Sequence, residues 1–197
     1  MKIDILFLND EMNGHDEYFD NDLFQEYCET HSFEGKKNQI LSVPPSYSKS
    51  QNLTFIVGLG ENKEDINFYD LGTLIGSKIN SDAEINFLNT MEDTNLIIDG
   101  ILYVQYKFNN YKSEDDSSVN NIIFQDLDSS ENEIKKNSVF WVRDLINTPA
   151  LDKSPEEFIN KVNELVDSSG IEVDVYDQKW LEENNFRGVL GVGKGSD

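Results

Sequence analysis

The sequence predicts an α/β fold, a largely parallel sheet flanked by helices, followed by the first α/β unit of a second domain. Three observations carry that expectation. Three strand–helix units follow one another between residues 53 and 146, and consecutive units of that kind build a parallel sheet through crossover connections. The strand runs are short and apolar, while the segments between them carry apolar residues at helical spacing. The last third then reads as helix, polar break, helix, strand, short helix and strand.

Taken in order, residues 3–8 form an apolar run with strand character. Residues 9–38 are acidic and polar, with Phe19, Phe24, Tyr27 and Phe33 scattered among them, and predict loop with some helix. Residues 40–43 give a short strand, closed by Pro44-Pro45 and a polar loop. From residue 53 the organisation is clearer. A strand over 53–57 ends in Gly58-Leu59-Gly60. Glu61 to Asp65 then opens a helix carrying Phe68, Leu71, Leu74, Ile75 and Ile79. Gly72 and Gly76 lie four apart on it, which predicts a close approach of that helix to the sheet.

A second strand is expected over 83–88, and a helix over 96–108 with Ile97, Ile101, Val104 and Phe108 in register. A third strand covers 121–124, and Ser130 to Glu133 has the form of a capping box for a helix reaching Ile146. The charged stretches 112–118 and 126–130 read as solvated loops. Asn147-Thr148-Pro149 stops the long helix, because proline cannot continue it and restricts the residue before it. Ser154-Pro155-Glu156-Glu157 starts the next helix with a capping serine and a first-turn proline. Phe158, Val162, Leu165 and Val166 supply its apolar face, and Gly170 ends it. Ile171, Val173 and Val175 alternate with Glu172 and Asp174, a strand pattern, and 188–192 reads as the final strand.

Composition bounds what such a chain does. Acidic residues outnumber basic ones by 38 to 16 in 197 residues, a formal charge of −22. A surface of that sign repels phosphate backbones and anionic lipid, which argues against nucleic-acid and membrane partners. The single cysteine, Cys28, rules out an internal disulfide and fits a reducing cytoplasm. The first eight residues do not make a signal peptide, and no apolar run reaches membrane-spanning length. A cytoplasmic protein is expected.

The chemistry-bearing motifs are few. Gly58-Leu59-Gly60 lies between a strand and a helix, but the third glycine of a dinucleotide fingerprint would fall at Lys63. Glu61, Glu64 and Asp65 would also repel a pyrophosphate, so a tight strand-to-helix turn is the better reading. The run Gly191 to Gly195 contains Lys194 but lacks the glycine spacing of a phosphate loop. His15 and His31 belong to no paired-ligand pattern. Arg143 and Asp144 suggest a salt bridge or a helix-capping role.

Several stretches nevertheless carry a resemblance. Arg143-Asp-Leu-Ile-Asn147-Thr-Pro-Ala150, the helix start at Ser154, and Gly188 to Ser196 together resemble the domain junction of the leucyl aminopeptidase (cytosol aminopeptidase) family. Residues 55–60 and 100–112 resemble its N-terminal domain in the same order. The resemblance implies a macro-like N-terminal α/β domain over residues 1–130, a linker helix and junction over 131–150, and the start of the metallopeptidase domain over 151–197.

In that family two divalent metals, Mn or Zn, activate a water that attacks the first peptide bond of a peptide substrate. The family's metal ligands and catalytic groups lie in segments downstream of the one ending at Ser196. No catalytic, cofactor-binding or metal residue is therefore assigned in this chain, Lys194 included. The expectation is the N-terminal portion of a metal-dependent exopeptidase, truncated before its active site and inactive alone, with a homo-oligomer, a hexamer, implied by the family. The alternative is a non-enzymatic macro-like module for ligand binding or assembly.

Overall fold

The computed structural model describes residues 1–112, 120–167 and 170–193. The chain divides into two compact units, Met1–Asp144 and Leu145–Asp197.

The first unit is built on a five-stranded sheet: β1 (Lys2–Leu8), β2 (Ile40–Val43), β3 (Leu53–Gly58), β4 (Ala83–Phe87) and β5 (Ile122–Phe124). The order across the sheet is β2-β3-β1-β4-β5. β1 runs parallel to β3, with Ile5 opposite Phe55, and parallel to β4, with Ile5 opposite Phe87. β4 and β5 are parallel as well, while β2 is antiparallel to β3. Residues 1–50 thus supply the central strand and one edge strand, and both strand runs fall where the sequence predicts them. An isolated run such as 3–8 does not reveal that two distant strands will flank it.

Alternation along the strands distributes two cores. Ile3, Ile5 and Phe7 of β1 join Phe55, Val57, Ile85 and Phe124 on one face. That face is covered by α2 (Phe68–Gly76) and α3 (Thr94–Tyr103), which contribute Leu71, Ile75, Ile97 and Ile101. Leu6, Leu8 and Ile56 point to the other face, where α1 (Asn21–Thr30) brings Phe24 and Cys28, and Phe19 and Phe33 fill in around them. The aromatic residues scattered through 9–38 are the lid of this second core. Each fully buried Leu, Ile or Phe contributes about 1.5–3 kcal/mol relative to exposure, so the two faces supply most of the driving force.

The small residues of α2 serve a different contact from the one expected. A Cβ on Gly72 would lie 2.2 Å from the carbonyl oxygen of Ile97, and one on Gly76 would lie 2.5 Å from Val104 Cγ1. Gly100 of α3 answers them: its Cβ would meet the Tyr69 oxygen at 2.2 Å. The glycines bring α2 against α3 backbone to backbone, not against the sheet. Helical spacing identifies a small-residue face but not its partner.

Two element boundaries shift and one cap changes. The helix expected from Glu61 is a single 3-10 turn over Lys63–Asp65, and α2 starts later, with the Asn67 side chain accepting the Asp70 N–H. α3 stops at Tyr103, short of Phe108. α4 (Ser130–Asn147) begins at the expected place, but Ser130 is its first helical residue and donates its N–H to Asp128 Oδ1 at 3.0 Å. The aspartate, two residues earlier, does the capping, and hydrogen bonds from the Ser130 hydroxyl and then the Ser130 N–H hold its carboxyl below the ordinary range.

The second unit holds α5 (Pro155–Val166), α6 (Gln178–Glu183) and α7 (Arg187–Gly193). Ser154 caps α5, its hydroxyl accepting the Glu157 N–H at 3.1 Å, as the sequence predicts. The two expected strands are absent among the described residues. Residues 171–177 carry no ladder, and the run 188–192 lies within α7. A five-residue apolar run fits a short helix turn as well as a strand when no neighbouring strand selects between them.

Candidate functional site

The strand-to-helix turn after β3 is the first position to consider, because ligands of open parallel sheets bind outside the carboxyl ends of the strands. Here the turn is filled by the chain itself. The Gly58 N–H donates to Gln39 O, the Leu59 N–H to Leu8 O and the Gly60 N–H to Gly35 O, each at 2.8 Å. The Asn38 N–H returns a bond to Gly58 O at 3.1 Å. A Cβ on Gly58 would stand 2.2 Å from Lys36 O, and Gly60 has φ +71°. A phosphate cradle needs free backbone N–H groups. These three are committed, and the glycines exist so that residues 35–39 can lie across the turn. Gln39 holds that crossing segment, its Oε1 accepting the N–H groups of Glu34 and Lys36 at 3.0 Å each.

The neighbouring strand ends are closed in the same way. Asn89 extends the β1–β4 pairing with its side chain: Oδ1 accepts the Phe7 N–H at 2.9 Å and Nδ2 donates to Phe7 O at 2.8 Å. The Tyr18 hydroxyl donates to Leu88 O at 2.9 Å. On β1 itself, the buried Asp4 carboxylate accepts from Ser50 Oγ at 2.5 Å, Asn86 Nδ2 at 3.1 Å and Asn52 Nδ2 at 3.2 Å. Sequence reasoning missed Asn89, Tyr18 and this aspartate cluster. A polar residue two positions after a strand is the only signal Asn89 leaves.

One crevice remains open at this end of the sheet. About 650 Å³ lies between the 3-10 turn before α2 and the segment entering α3, with Glu64, Ile66, Met91, Glu92, Asp93 and Leu96 among its lining. The Lys37 ammonium donates to the Asp65 carbonyl on the adjoining turn.

The remaining candidates are placed apart. His15 stacks on Phe24 at 4.4 Å, with its ring nitrogens 2.5 Å from Met12 O and 2.6 Å from Asn21 Oδ1. His31 stacks on Tyr27, and its Nδ1 lies 2.8 Å from Tyr27 O. Burial pushes the Cys28 thiol up to about 11, the wrong direction for a nucleophile at neutral pH. Among the described residues no three His, Cys, Asp or Glu side chains are grouped to hold a metal. Lys194 and the loop residues 113–118 lie outside the described residues.

At the junction helix, Arg143 and Asp144 both engage Tyr106, where a salt bridge or cap was expected. The guanidinium carbon lies 4.3 Å from the Tyr106 ring centroid, and Nη1 donates to Tyr103 O at 3.2 Å. The Tyr106 hydroxyl donates to Asp144 Oδ1 at 2.8 Å. Nearer the start of α4, the buried Asn132 donates to Asp99 Oδ1 at 2.7 Å and to Asn95 O at 3.0 Å. These contacts fasten α4 to the end of α3. They position a helix.

The first unit is thus a mixed α/β domain with a mostly parallel five-stranded sheet. The sequence profile described as the cytosol aminopeptidase family, catalytic domain, matches residues 140–197. A probable cytosol aminopeptidase of Rickettsia typhi is 30% identical over 191 residues, covering 83% of this chain and 38% of its own length. One from Aquifex aeolicus is 27% identical over 195 residues, covering 86% of this chain and 37% of its own. The chain belongs to the cytosol aminopeptidase family and spans about two fifths of the length of these curated relatives. Among solved structures, the cytosol aminopeptidase of Coxiella burnetii superposes with a TM-score of 0.69 at 20% identity, over 93% of this chain and 39% of that one. A bottromycin maturation enzyme solved in complex with Mn gives 0.68 at 16% identity, over 92% of this chain and 39% of that one. Both show the same fold.

Proposed function

We propose that this chain is the leading portion of a metal-dependent exopeptidase that removes N-terminal amino acids from peptides in the cytoplasm, and that it acts as scaffold rather than reaction centre. The observation that carries this reading is the continuity of the match. The Rickettsia typhi relative aligns over 191 residues, through the α/β unit and across the junction helix, and the catalytic-domain profile takes up from residue 140.

The family's two divalent metals, Mn or Zn, do not fit the residues described here. The two buried carboxylates lie in separate clusters: Asp4 accepts from Ser50, Asn52 and Asn86, and Asp99 accepts from Asn132. No catalytic step is therefore derived through a metal in this chain, and on this reading the metals are held by segments downstream of residue 196. The same reading takes residues 1–130 as the N-terminal domain, 131–150 as the linker and 151–197 as the start of the catalytic domain. It also takes the whole enzyme as a homo-oligomer, a hexamer.

The test joins residues 1–197 to the remaining length of the Rickettsia typhi relative. The chimera, once shown by circular dichroism to be folded, is expected to hydrolyse leucine p-nitroanilide with Mn²⁺ or Zn²⁺, while residues 1–197 alone do not. A folded chimera without turnover, or metal-dependent turnover by residues 1–197 that survives repurification, would overturn the reading. Calorimetry with ADP-ribose addresses the macro-like binding module; micromolar affinity would favour that module instead.

A further inference from the structure

The crevice between the starts of α2 and α3 has no part in the scaffold role. Its volume of about 650 Å³ falls in the range of ligand sites. It opens where the chain leaves β3 and β4, the two strands that flank β1, which is the position ligands take in open parallel sheets. Its apolar part comes from Ile66, Phe68, Met91 and Leu96, of which Leu96 remains 45% exposed. Its charged part is Glu64, Glu92 and Asp93, all exposed and without a side-chain hydrogen bond or ion pair to another described residue.

An acidic residue at a helix start is ordinarily explained by capping and by the helix dipole. Asp93 occupies the position before α3, yet its side chain makes no cap bond. The Thr94 hydroxyl instead accepts the Met91 N–H at 3.1 Å and donates to Met91 O at 2.6 Å, which fixes the turn. The Asp93 carboxylate is therefore held at the mouth without being consumed by the helix. No basic side chain lines the crevice among the described residues.

We propose that this crevice binds a peptide segment carrying a lysine or arginine beside a bulky apolar residue. The cation meets the carboxylates of Glu92, Asp93 and Glu64, and the apolar side chain covers Leu96 and Met91. Charge complementarity selects the sign of the partner, and the half-exposed leucine selects an amphipathic one over a simple polyamine. This inference does not depend on the peptidase reading, because it concerns recognition within the first unit alone.

Fluorescence anisotropy with a labelled Leu-Arg-Phe-Lys peptide tests it, using the full 197-residue chain at about 150 mM salt, where the field of distant charges is screened. A dissociation constant on the order of 100 µM is expected for a contact of this size. Glu92→Gln combined with Asp93→Asn should weaken binding by about fivefold or more, and Leu96→Ala by about threefold. Asp22→Asn combined with Glu29→Gln removes the same charge from α1, across the sheet, and should change affinity by less than about twofold. Spermidine should not compete at about 1 mM. Equal losses in the two double variants, full competition by spermidine, or no binding by natively folded protein up to about 1 mM would each overturn the proposal.

Discussion

The two units carry the same kinds of helix and reach opposite ends of the burial scale. Ile3, Ile5, Ile56, Ile75, Ile85 and Ile97 of the first unit are fully covered. In the second, Leu151 is 97% exposed and Val192 81%, and no residue of α5, α6 or α7 is buried. Local design does not explain the contrast. α2 is capped by Asn67 and α5 by Ser154, and both have apolar faces. The difference is the ladder. β1 draws residues some 50 and 80 positions away in sequence into register with itself, and the helices then have a surface to cover. An amphipathic helix earns its stability from what it covers, more than from its own propensity.

The sharpest way to break this comparison is to truncate an aliphatic side chain on each side. Ile5→Ala should cost about 2–5 kcal/mol in urea denaturation followed by circular dichroism, while Val189→Ala, at a site 57% exposed, should stay within about 0.5 kcal/mol. Similar losses at both positions would mean that the second unit has a core of its own. Hydrogen exchange gives the same contrast without mutation: amides of β3 and β4 are expected to be protected far longer than those of residues 171–177, which have no ladder.

Gly72→Ala comes next in size. The added methyl would be driven against the Ile97 carbonyl, so a loss of about 1–3 kcal/mol is expected. The corresponding Gly191→Ala in α7, where nothing lies within 4 Å of the new Cβ, should be neutral or slightly stabilising, because alanine favours the helix by about 1 kcal/mol. A smaller effect separates the caps. Asn67→Ala should lower the global denaturation midpoint by the equivalent of about 1 kcal/mol. Ser154→Ala should reduce the helicity of α5 and leave the transition of the first unit unchanged.

The smallest expected signal is the alkaline behaviour of Cys28. Its buried thiol titrates at about 11 when folded, against about 8.5 in an unfolded chain. The folded state therefore holds the proton more tightly. Stability is unaffected below the unfolded value and falls as pH rises from there toward the folded one. Iodoacetamide labelling at pH 8 should be slow in the native protein and fast in urea. Equal rates would place the thiol at the surface.

Much of this architecture was legible because alternation and helical spacing survive in the chain. The runs 3–8, 53–57, 83–88 and 121–124 all became strands, and Ser154-Pro155 became a helix start. The misses share a cause. The pattern of 188–192 fits strand or helix equally, Gly72 and Gly76 show a small face without its neighbour, and Phe19, Phe24 and Phe33 look scattered until a sheet face gathers them. At the candidate site the sequence predicts a tight turn at Gly58-Leu59-Gly60, and in the structure its N–H groups are taken by other parts of the chain. The sequence could not show this, because Gly35, Lys36 and Gln39 arrive there from some 20 residues away.

By itself, then, the sequence determined the strand runs of the first unit, the start of α5, the family to which the chain belongs and the sign of its surface, since each of these is written in near neighbours or in composition. Tertiary structure alone decided that β1 is central, that β2 runs antiparallel, that α2 presses on α3, and that the strand-end amides are spent while the crevice beside them stays open. Those outcomes depend on which distant backbone groups compete for the same hydrogen bonds and the same space, and no local pattern encodes the winner.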